Sequence, residues 1–288
     1  MPVRSIGFVT AEPCPDLTPD DQIAADALAA RGVQVVPVVW SRSPRPPVDA
    51  LVVRSTWDYH RRPAEFAAWL AELEQSGLPV HNPVPVLRWN MNKRYLRELE
   101  QKGLAVTATA WVEHEPVRLE ELLQERGWDD VVVKPAVSCN GWRTFRSNRA
   151  RAAEDEAAFQ LAKSAGAVMV QPFVSMIANE GEWSLIYIRG RYSHAALKQP
   201  RDGGFMVQPD HGGRSEAAIP TSCMLEDAER ILATAPGPTL YARVDGVRNG
   251  RRFILMELEL LEPHLFFALR PQAAREFAEG LLGDGPSA

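Results

Sequence analysis

The stretch YARVDGVRNGRRFILMELE, residues 241–259, decides the fold class and predicts two antiparallel strands. These strands flank Asn249-Gly250, a dipeptide that favours the tip of a β-hairpin. Glu257 and Glu259 lie two residues apart in the second strand, so both side chains project from one face. Carboxylates in such an apolar strand are costly to bury unless a cation neutralises them. The stretch therefore predicts a hairpin with an acidic, ligand-binding face.

The acidic face has the chemistry of a magnesium site. Arg243 and Asp245 are likewise two residues apart on the partner strand. Oxygen ligands without His or Cys suit Mg²⁺, which is commonly held by one or two carboxylates together with substrate phosphates. The fork-shaped guanidinium of Arg243 would lie beside the metal and could hold an oxygen of a phosphoryl group, whose negative charge shifts during transfer. The alternative is a solvent-facing sheet edge with alternating polar residues. This alternative does not explain why Arg243 and Asp245 stand two residues apart on the partner strand.

A shared metal site also constrains the geometry of the hairpin. Side chains alternate along a strand, and directly opposed residues share a face. With a plain two-residue turn at Asn249-Gly250, Asp245 would oppose Ile254 and lie on the face opposite to the glutamates. We therefore expect either a β-bulge in the ladder or a turn with an odd number of residues. A three-residue turn would set Arg243 opposite Glu257.

Around the hairpin, the chain predicts three α/β lobes whose mutual faces enclose a cleft. Residues 1–85 alternate short apolar strands with helices that begin near Pro19 and Pro63, which is typical of a parallel α/β domain on the substrate side. Residues 86–170 form a central lobe, with helices over 92–102 and near 150–165. Residues 171–288 form a C-terminal lobe of longer strands that includes the hairpin.

Composition narrows the classes of function. The 288 residues carry a formal net charge of −5, and 45% of them are hydrophobic. A chain without a basic stripe is not expected to bind nucleic acid or an anionic membrane surface. The sequence contains no run of about 18 apolar residues, so it predicts no membrane-spanning helix. Three scattered cysteines without CxxC spacing fit a reducing compartment. We expect a cytoplasmic protein that binds a small molecule, and the sequence is compatible with a homo-oligomer.

Three lysines lie where they could bind the phosphates of a nucleotide. Lys134 and Lys198 each end a predicted strand, and Lys93 opens a predicted helix, whose N-terminus would attract an anion. In isolation each could equally be a surface lysine. The predicted strand that contains Gln171 ends at Pro172. The side-chain amide of Gln171 and unpaired backbone groups at this strand end could then hydrogen-bond to the edge of an adenine. A buried strand followed by a turn is the plainer alternative.

As a set, the motifs between residues 87 and 259 resemble the ATP-grasp superfamily of carboxylate–amine ligases, which includes D-alanine:D-alanine ligase and glutathione synthetase. In chain order they are Met91-Asn92-Lys93, Val133-Lys134-Pro135, Gln171-Pro172-Phe173-Val174, Gly181-Glu182-Trp183-Ser184, Lys198, Arg243-Val244-Asp245 and Glu257-Leu258-Glu259. The resemblance implies an ATP-grasp fold of three α/β lobes, with ATP held between the central and C-terminal sheets.

The resemblance also implies a role for each motif. It implies phosphate contacts from Lys93 and Lys134, adenine contacts from Gln171 and the backbone of Phe173 and Val174, and a ribose contact from Glu182. It implies that Lys198 and Arg243 are catalytic and hold the γ-phosphate and an acyl-phosphate. It implies two Mg²⁺ ions, for which Mn²⁺ could substitute, on Asp245, Glu257 and Glu259. The third ligand is usually Asn in the family, so Glu259 adds one negative charge.

A narrower resemblance is to the D-cycloserine-forming branch, in which O-ureido-D-serine is cyclised. It rests on Arg54-Ser55-Thr56-Trp57-Asp58-Tyr59, Arg88-Trp89-Asn90, Lys93-Arg94-Tyr95-Leu96, Lys134-Pro135-Ala136-Val137-Ser138, Ser193-His194-Ala195 and His211-Gly212-Gly213. One departure is Met206, which stands where the branch often has Arg. The contact that this Arg would make is either missing or supplied by Arg201 or Arg214.

Arg54 and Asp58 are the candidate substrate contacts, because they follow the third strand at the edge where open α/β sheets bind ligands. Arg54 would pair with a carboxylate and Asp58 with an ammonium group, unless the two belong to a loop salt bridge. His211 and Gly212 could also contact the substrate, although His211 could equally be a loop histidine. The role of His264, just past the metal-binding strand, stays open.

Three classes of function compete. In the first, an amino-acid-like carboxylate is phosphorylated by ATP and the acyl-phosphate is attacked by a nitrogen of the same molecule, with O-ureido-D-serine as the preferred substrate. The second is an intermolecular ligase of the dipeptide or glutathione-synthetase kind. The third is a nucleotide-binding protein without ligase activity. The complete set of catalytic and metal-binding side chains disfavours the third class: Lys134, Arg243, Asp245, Glu257 and Glu259.

Overall fold

The computed structural model describes residues 3–113, 115–201, 204, 206–207 and 212–283, and its named strands form three sheets. The first lobe contains β1 (Ser5–Thr10), α1 (Pro19–Ala29), β2 (Gln34–Val39), β3 (Ala50–Ser55), a 3-10 turn (Tyr59–Arg61), α2 (Pro63–Ser76) and β4 (Val80–His81). Its sheet is parallel, as predicted, in the order β2-β1-β3-β4. The helix α1 begins where expected, because the Thr18 side chain accepts a hydrogen bond from the backbone of Asp21 and Pro19 follows.

The second sheet belongs to the central lobe and is antiparallel. The lobe contains α3 (Val84–Asn90), α4 (Tyr95–Gln101), β5 (Ala110–Val112), α5 (Leu119–Arg126), β6 (Asp130–Pro135), β7 (Phe145–Asn148), α6 (Glu156–Lys163) and β8 (Val168–Pro172). The strand order is β5-β8-β6-β7. Val131 and Val133 pack into a core with Phe159 of α6. Because side chains alternate along β6, Lys134 projects from the other face of the sheet.

The expected helix over residues 92–102 is wrong at its start. The side chain of Asn92 accepts a hydrogen bond from the backbone of Arg94 at 3.0 Å, and such a local bond competes with helix formation. The backbone N–H of Lys93 instead donates to the carbonyl of Ala136 at 2.8 Å. Lys93 therefore lies in the turn between α3 and α4 and does not open a helix. The predicted helix near 150–165 is likewise shorter, because α6 begins only at Glu156.

The third sheet belongs to the C-terminal lobe and is antiparallel. The lobe contains α7 (Met176–Asn179), β9 (Glu182–Ile188), β10 (Arg191–Gln199), β11 (Arg214–Ala218), α8 (Ser222–Leu232), β12 (Tyr241–Asn249), β13 (Arg252–Glu259) and α9 (Pro271–Leu282). The strand order is β11-β10-β9-β12-β13. No helix in the described ranges combines the length and the apolar content that crossing a membrane requires.

The hairpin β12–β13 contains the predicted β-bulge. Asn249 pairs with Arg252 around a two-residue turn, so the alternative of a three-residue turn is wrong. The register then shifts between Asp245 and Gly246, which leaves Met256 unpaired. A Cβ atom at position 246 would overlap the carbonyl oxygen of Ile254, so only glycine fits there. After the bulge, Asp245 opposes Glu257 and Arg243 opposes Glu259, and all four side chains share a face.

The last helix packs between its own lobe and the first lobe. Phe277 and Leu281 of α9 share a buried cluster with Phe8 of β1 and Leu28 of α1. The same cluster includes Tyr241, at the start of β12. The first lobe is thereby packed against the third sheet. The lobe boundaries at residues 85 and 170 stay a prediction, and β8 itself continues to Pro172.

Candidate active site

The shared face of the hairpin carries three carboxylates, each paired with a cation. Arg243 donates from Nε and Nη2 to Asp245 at 3.0 and 2.9 Å, and also forms an ion pair with Glu259. The Nζ of Lys198 lies 3.1 Å from Oδ2 of Asp245. On the other carboxylate, the Nζ of Lys93 lies 3.0 Å from Oε1 of Glu257. The bulge has therefore brought the predicted metal-binding and catalytic side chains into one cluster.

The cluster strongly shifts the acidity of its members. Burial tends to raise the pKa of Asp245, but the charges of Arg243 and Lys198 outweigh it and lower that pKa to about 2. The pKa of Glu259 is raised to about 8, because burial and then the charges of Asp245 and Glu257 exceed the effect of Arg243. The pKa of Glu257 is lowered, because Lys93 and Lys134 overcome its burial. A further cation would favour the ionised form of Glu259.

The donor set fits the magnesium predicted for this face, although the metal-binding roles themselves stay a prediction. Asp245, Glu257 and Glu259 offer only oxygen atoms, which is the chemistry that Mg²⁺ prefers. Across the ranges that the structure covers, no three acidic, His or Cys side chains form a ready-made metal cluster. The reason is visible in the ion pairs, since the carboxylate oxygens are turned toward Arg243, Lys198 and Lys93.

Lys134 is the candidate phosphate contact without a carboxylate partner. It is half-buried, and no carboxylate oxygen of a described residue lies within 4.0 Å of its Nζ. Burial lowers its pKa, and the charge of Glu257 offsets this only in part. Lys198 differs, because it lies 2.7 Å from Glu182, the predicted ribose contact. A phosphate at Lys134 would therefore break no ion pair between described residues, whereas a phosphate at Lys198 would compete with Glu182 and Asp245.

The predicted adenine contacts lie at the end of β8. The Gln171 amide is buried and donates to the Thr109 hydroxyl at 2.8 Å. The backbone N–H of Phe173 donates to the carbonyl of Asp130 at 2.8 Å, so the expectation of an unpaired backbone is wrong for this group. The carbonyl of Val174 accepts a bond from Ile177. An adenine contact through these residues stays a prediction and depends on their remaining polar atoms.

Arg54 and Asp58 each bond other side chains of the first lobe. Arg54 is buried and donates to Asp21 of α1 at 2.8 Å. Asp58 accepts hydrogen bonds from the indole of Trp40 at 2.7 Å and from Arg62 at 3.2 Å. Both charges are therefore neutralised within the first lobe, which favours the structural alternative for each of them.

The second pair of predicted substrate contacts is only partly described. His211 lies outside the described residues. Gly212 is described and has a φ of +81°, in the left-handed region that favours glycine. Their substrate-binding roles stay a prediction. The backbone carbonyl of His264 accepts a hydrogen bond from Nη1 of Arg243 at 3.0 Å, which gives this residue a positioning role.

Glu262, which lies three residues beyond Glu259, was not predicted from the sequence. Its side chain is nine-tenths buried, and burial raises its pKa to about 7 against the opposing charge of Lys93. Two hydrogen-bond partners were also missed: the Ser184 hydroxyl donates to Asp245 at 2.7 Å, and Lys93 donates to the carbonyl of Ser138 at 2.7 Å. A carboxylate directly after the apolar Leu260-Leu261 was the available signal for Glu262.

Comparisons with known proteins agree with this architecture. A family described as the N-terminal domain of D-cycloserine synthetase DcsG matches residues 6–82. The cycloserine biosynthesis protein DcsG of Streptomyces lavendulae is 31% identical over 268 residues, covering 85% of this chain and 84% of that protein.

Two solved structures extend the likeness to the whole chain. The crystal structure of D-cycloserine synthetase DcsG superimposes with a TM-score of 0.85 at 26% identity, over 97% of this chain and 99% of that one. D-alanine–D-alanine ligase from Bacillus anthracis superimposes with a TM-score of 0.69 at 15% identity, over 98% and 97%, and supports the fold alone. The chain therefore belongs to the D-cycloserine synthetase family and is an ATP-grasp enzyme, an ATP-dependent ligase that forms carbon–nitrogen bonds.

Proposed function

We propose that the enzyme phosphorylates the carboxylate of an amino-acid-like molecule and that a nitrogen of the same molecule then displaces the phosphate, with O-ureido-D-serine as substrate and D-cycloserine as product. The observation that carries the phosphorylation step is the bulged hairpin, which sets Asp245 opposite Glu257 and Arg243 opposite Glu259. The 31% identity to a cycloserine biosynthesis protein supports the choice of substrate.

In the proposed first step, a carboxylate oxygen of the substrate attacks the γ-phosphorus of ATP, and ADP leaves. Lys93 and Lys134 hold the phosphates in position, and Arg243 and Lys198 stabilise the negative charge on the phosphoryl group as it moves. Positioning and electrostatic stabilisation supply most of the rate acceleration in such transfers. Asp245, Glu257 and Glu259 would hold Mg²⁺, with Mn²⁺ as a substitute. When bound, the metal neutralises part of the phosphate charge.

In the proposed second step, the oxyamine nitrogen of the substrate attacks the acyl carbon, the carbon–oxygen bond to phosphate breaks, and inorganic phosphate leaves. Hydrolysis then removes the carbamoyl group from that nitrogen as carbon dioxide and ammonia, which leaves D-cycloserine. Both reacting groups belong to one molecule, so no pocket for a second substrate is needed. The three cysteines lie apart as free thiols, which supports the proposal that this reaction takes place in the cytoplasm.

The test is ADP release by the purified enzyme with Mg²⁺ and ATP, comparing O-ureido-D-serine alone, single amino acids, and pairs of amino acids. We expect O-ureido-D-serine alone to support turnover, with one cyclic product formed per ADP. Turnover that requires two amino acids would instead indicate an intermolecular ligase. If no carboxylate supports ADP release, ligation of amino-acid-like substrates is the wrong function.

A further inference from the structure

Glu262 is a buried carboxylate without a cation. Its side chain is nine-tenths buried, yet none of the described cationic side chains lies within 4.0 Å of its carboxylate. The neighbouring acidic groups differ, because Asp245, Glu257 and Glu259 are each paired with Arg243, Lys198 or Lys93. Buried carboxylates are normally paired, since burying an isolated charge is unfavourable. Among the described residues, Glu262 therefore has no ion-pair partner of the kind that the other three carboxylates have.

Glu262 lies where the first lobe meets the hairpin. The indole of Trp57 donates to its backbone carbonyl at 3.2 Å. The Tyr241 hydroxyl lies 3.0 Å from the carbonyl of Leu261 and 2.8 Å from that of Val53, in β3. The segment that follows β13 is thereby fixed against the carboxyl end of β3. This edge of a parallel sheet is the one at which open α/β domains bind ligands.

The charge of Glu262 influences titratable groups in two neighbouring segments. Burial raises the pKa of Tyr59, and Glu262 is the charge that adds most to that increase. The same holds for Cys139, in the loop between β6 and β7. The charge of Glu262 is therefore felt both in the 3-10 turn of the first lobe and in this loop. The charge of Lys93 acts on Glu262 as well, but the ammonium group of Lys93 forms its ion pair with Glu257, at 3.0 Å.

The same edge of the first lobe carries other polar atoms without partners. The hydroxyls of Ser55 and Thr56 and both ring nitrogens of His60 are buried and form no hydrogen bond with described residues. The His60 ring lies 4.9 Å from that of Trp142, centroid to centroid, so the first lobe and the loop meet at this point. Buried polar groups are nearly always hydrogen-bonded, so several orphans in one segment require an explanation, and a polar ligand bound at this edge would supply their missing partners.

We propose that Glu262 binds the amino group of the substrate, and that Ser55, Thr56 and His60 line the same subsite as neutral hydrogen-bonding groups. The protonated amino group of the substrate would give Glu262 a cationic partner. The neutral groups of Ser55, Thr56 and His60 would suit a substrate side chain that is polar but uncharged, such as a urea or an amide. The ligand class is thus an amino acid with an uncharged polar side chain. Asp58 is not its anchor, because Trp40 and Arg62 occupy both of its oxygens. The inference rests on the proposed function, since it assumes an amino-acid substrate.

The test pairs one substitution with one change in the substrate. O-ureido-D-serine is compared with the analogue in which hydrogen replaces the α-amino group, using kcat/KM for ADP release by wild type and by Glu262→Gln. We expect the wild type to prefer the amino compound by about 100-fold, as is typical when one partner of a buried charged pair is lost. In Glu262→Gln this preference falls to a few-fold, because only the amino compound loses its partner.

Three controls separate this effect from general damage. Glu72→Gln makes the same chemical change at an exposed position of α2 and should keep the wild-type preference. The Kd for ATP of Glu262→Gln should match that of the wild type, which shows that the variant is folded. Calorimetric titration of both compounds in the presence of AMP-PNP and Mg²⁺ measures the subsite without turnover, in wild type and in Glu262→Gln.

The outcomes distinguish the inference from the proposed function. If the wild type and Glu262→Gln show the same preference, or if Asp58→Asn alone abolishes it, the inference is overturned while the ligase activity stands. If another amino acid supports turnover in place of O-ureido-D-serine, the proposed substrate is wrong, and that amino acid and its deamino analogue repeat the comparison. If nothing supports turnover, the titrations decide, and equal affinity of the wild type for both compounds overturns the inference.

Discussion

Arg243 is the residue on which the chemistry of the site converges. Its guanidinium bonds Asp245 and the carbonyl of His264 and forms an ion pair with Glu259, so it joins both strands of the hairpin to the segment beyond them. The planar, fork-shaped group can hold two oxygen atoms at once, which an ammonium group cannot do in the same geometry. We therefore propose that Arg243 keeps donating hydrogen bonds to the phosphoryl oxygens while the group moves from ATP to the substrate carboxylate.

The substitution Arg243→Lys should lower kcat by about 100- to 1,000-fold, the effect usually seen when one donor to a transition-state oxyanion is removed. The KM for ATP should change much less, because the contact matters most while the charge moves. Steady-state ADP release measures both quantities. Arg248→Lys is the matched control, since Arg248 lies on the same strand and pairs with Glu180 at the surface. Equal losses in the two variants would contradict the catalytic role.

Lys134 makes a separate prediction about nucleotide binding. It has no carboxylate partner among the described residues, so its removal breaks no ion pair seen in the structure. A charge-assisted hydrogen bond to phosphate contributes about 1.5–3 kcal/mol, so Lys134→Ala should weaken ATP binding by roughly 10- to 150-fold. Calorimetric titration with AMP-PNP gives the affinity, and Lys102→Ala, an exposed lysine after α4, is the control. An unchanged affinity in Lys134→Ala would exclude a phosphate contact there.

At the scale of elements, the hairpin shows why a functional requirement can predict a structural detail. The need to set Asp245 beside both glutamates predicted a bulge or an odd turn, and the bulge is present. Its position at Met256 was not predictable, because it depends on the close approach of Gly246 to the opposite strand. The position of Lys93 was predicted wrongly, because the Asn92 side chain bonds the backbone and prevents the helix from starting there.

The bulge itself is tested by Gly246→Ala. A methyl group at this position would overlap the carbonyl of Ile254 and contact the ring of Phe253. Forcing extra atoms into a packed site usually costs about 1–3 kcal/mol. We expect a loss of unfolding free energy of that size by urea denaturation, together with a large loss of ADP release, because a shifted register would turn Asp245 away.

The control for this substitution is Gly250→Ala, in the same hairpin. Gly250 has a φ of +60° and open space around it, so alanine there strains only the backbone, at about 1–2 kcal/mol. We expect Gly250→Ala to keep the activity of the wild type. A fully active Gly246→Ala enzyme would mean that the bulge is not required for the metal-binding face.

At the scale of the whole molecule, the active site depends on contacts that join distant parts of the chain. Asn90, at the end of α3, donates to the carbonyl of Leu258 at 2.7 Å and accepts from the backbone N–H of Leu260 at 2.7 Å. Asn82 likewise donates to the carbonyls of Tyr241 and Leu260. These buried amides fix the end of the hairpin against the segment between the first two lobes.

Such long-range contacts explain what the sequence could not predict. The order of motifs predicted the ATP-grasp fold, and the comparisons confirm it. The charges of Arg54 and Asp58 predicted a substrate clamp, but their partners, Asp21, Trp40 and Arg62, are revealed only by folding. For Glu262 the sequence offered only its place directly after Leu260-Leu261, because the absence of an ion pair with any described residue is visible only in three dimensions.

The central claim is that a substrate carboxylate becomes phosphorylated, and oxygen isotopes test it most directly. O-ureido-D-serine with ¹⁸O in both carboxylate oxygens is turned over with unlabelled ATP, and the released inorganic phosphate is examined by mass spectrometry. If the carboxylate attacks ATP and the nitrogen later breaks the carbon–oxygen bond, each phosphate carries one ¹⁸O atom from the substrate. Phosphate without ¹⁸O, formed at the same rate as the cyclic product, would contradict an acyl-phosphate and the mechanism built on this site.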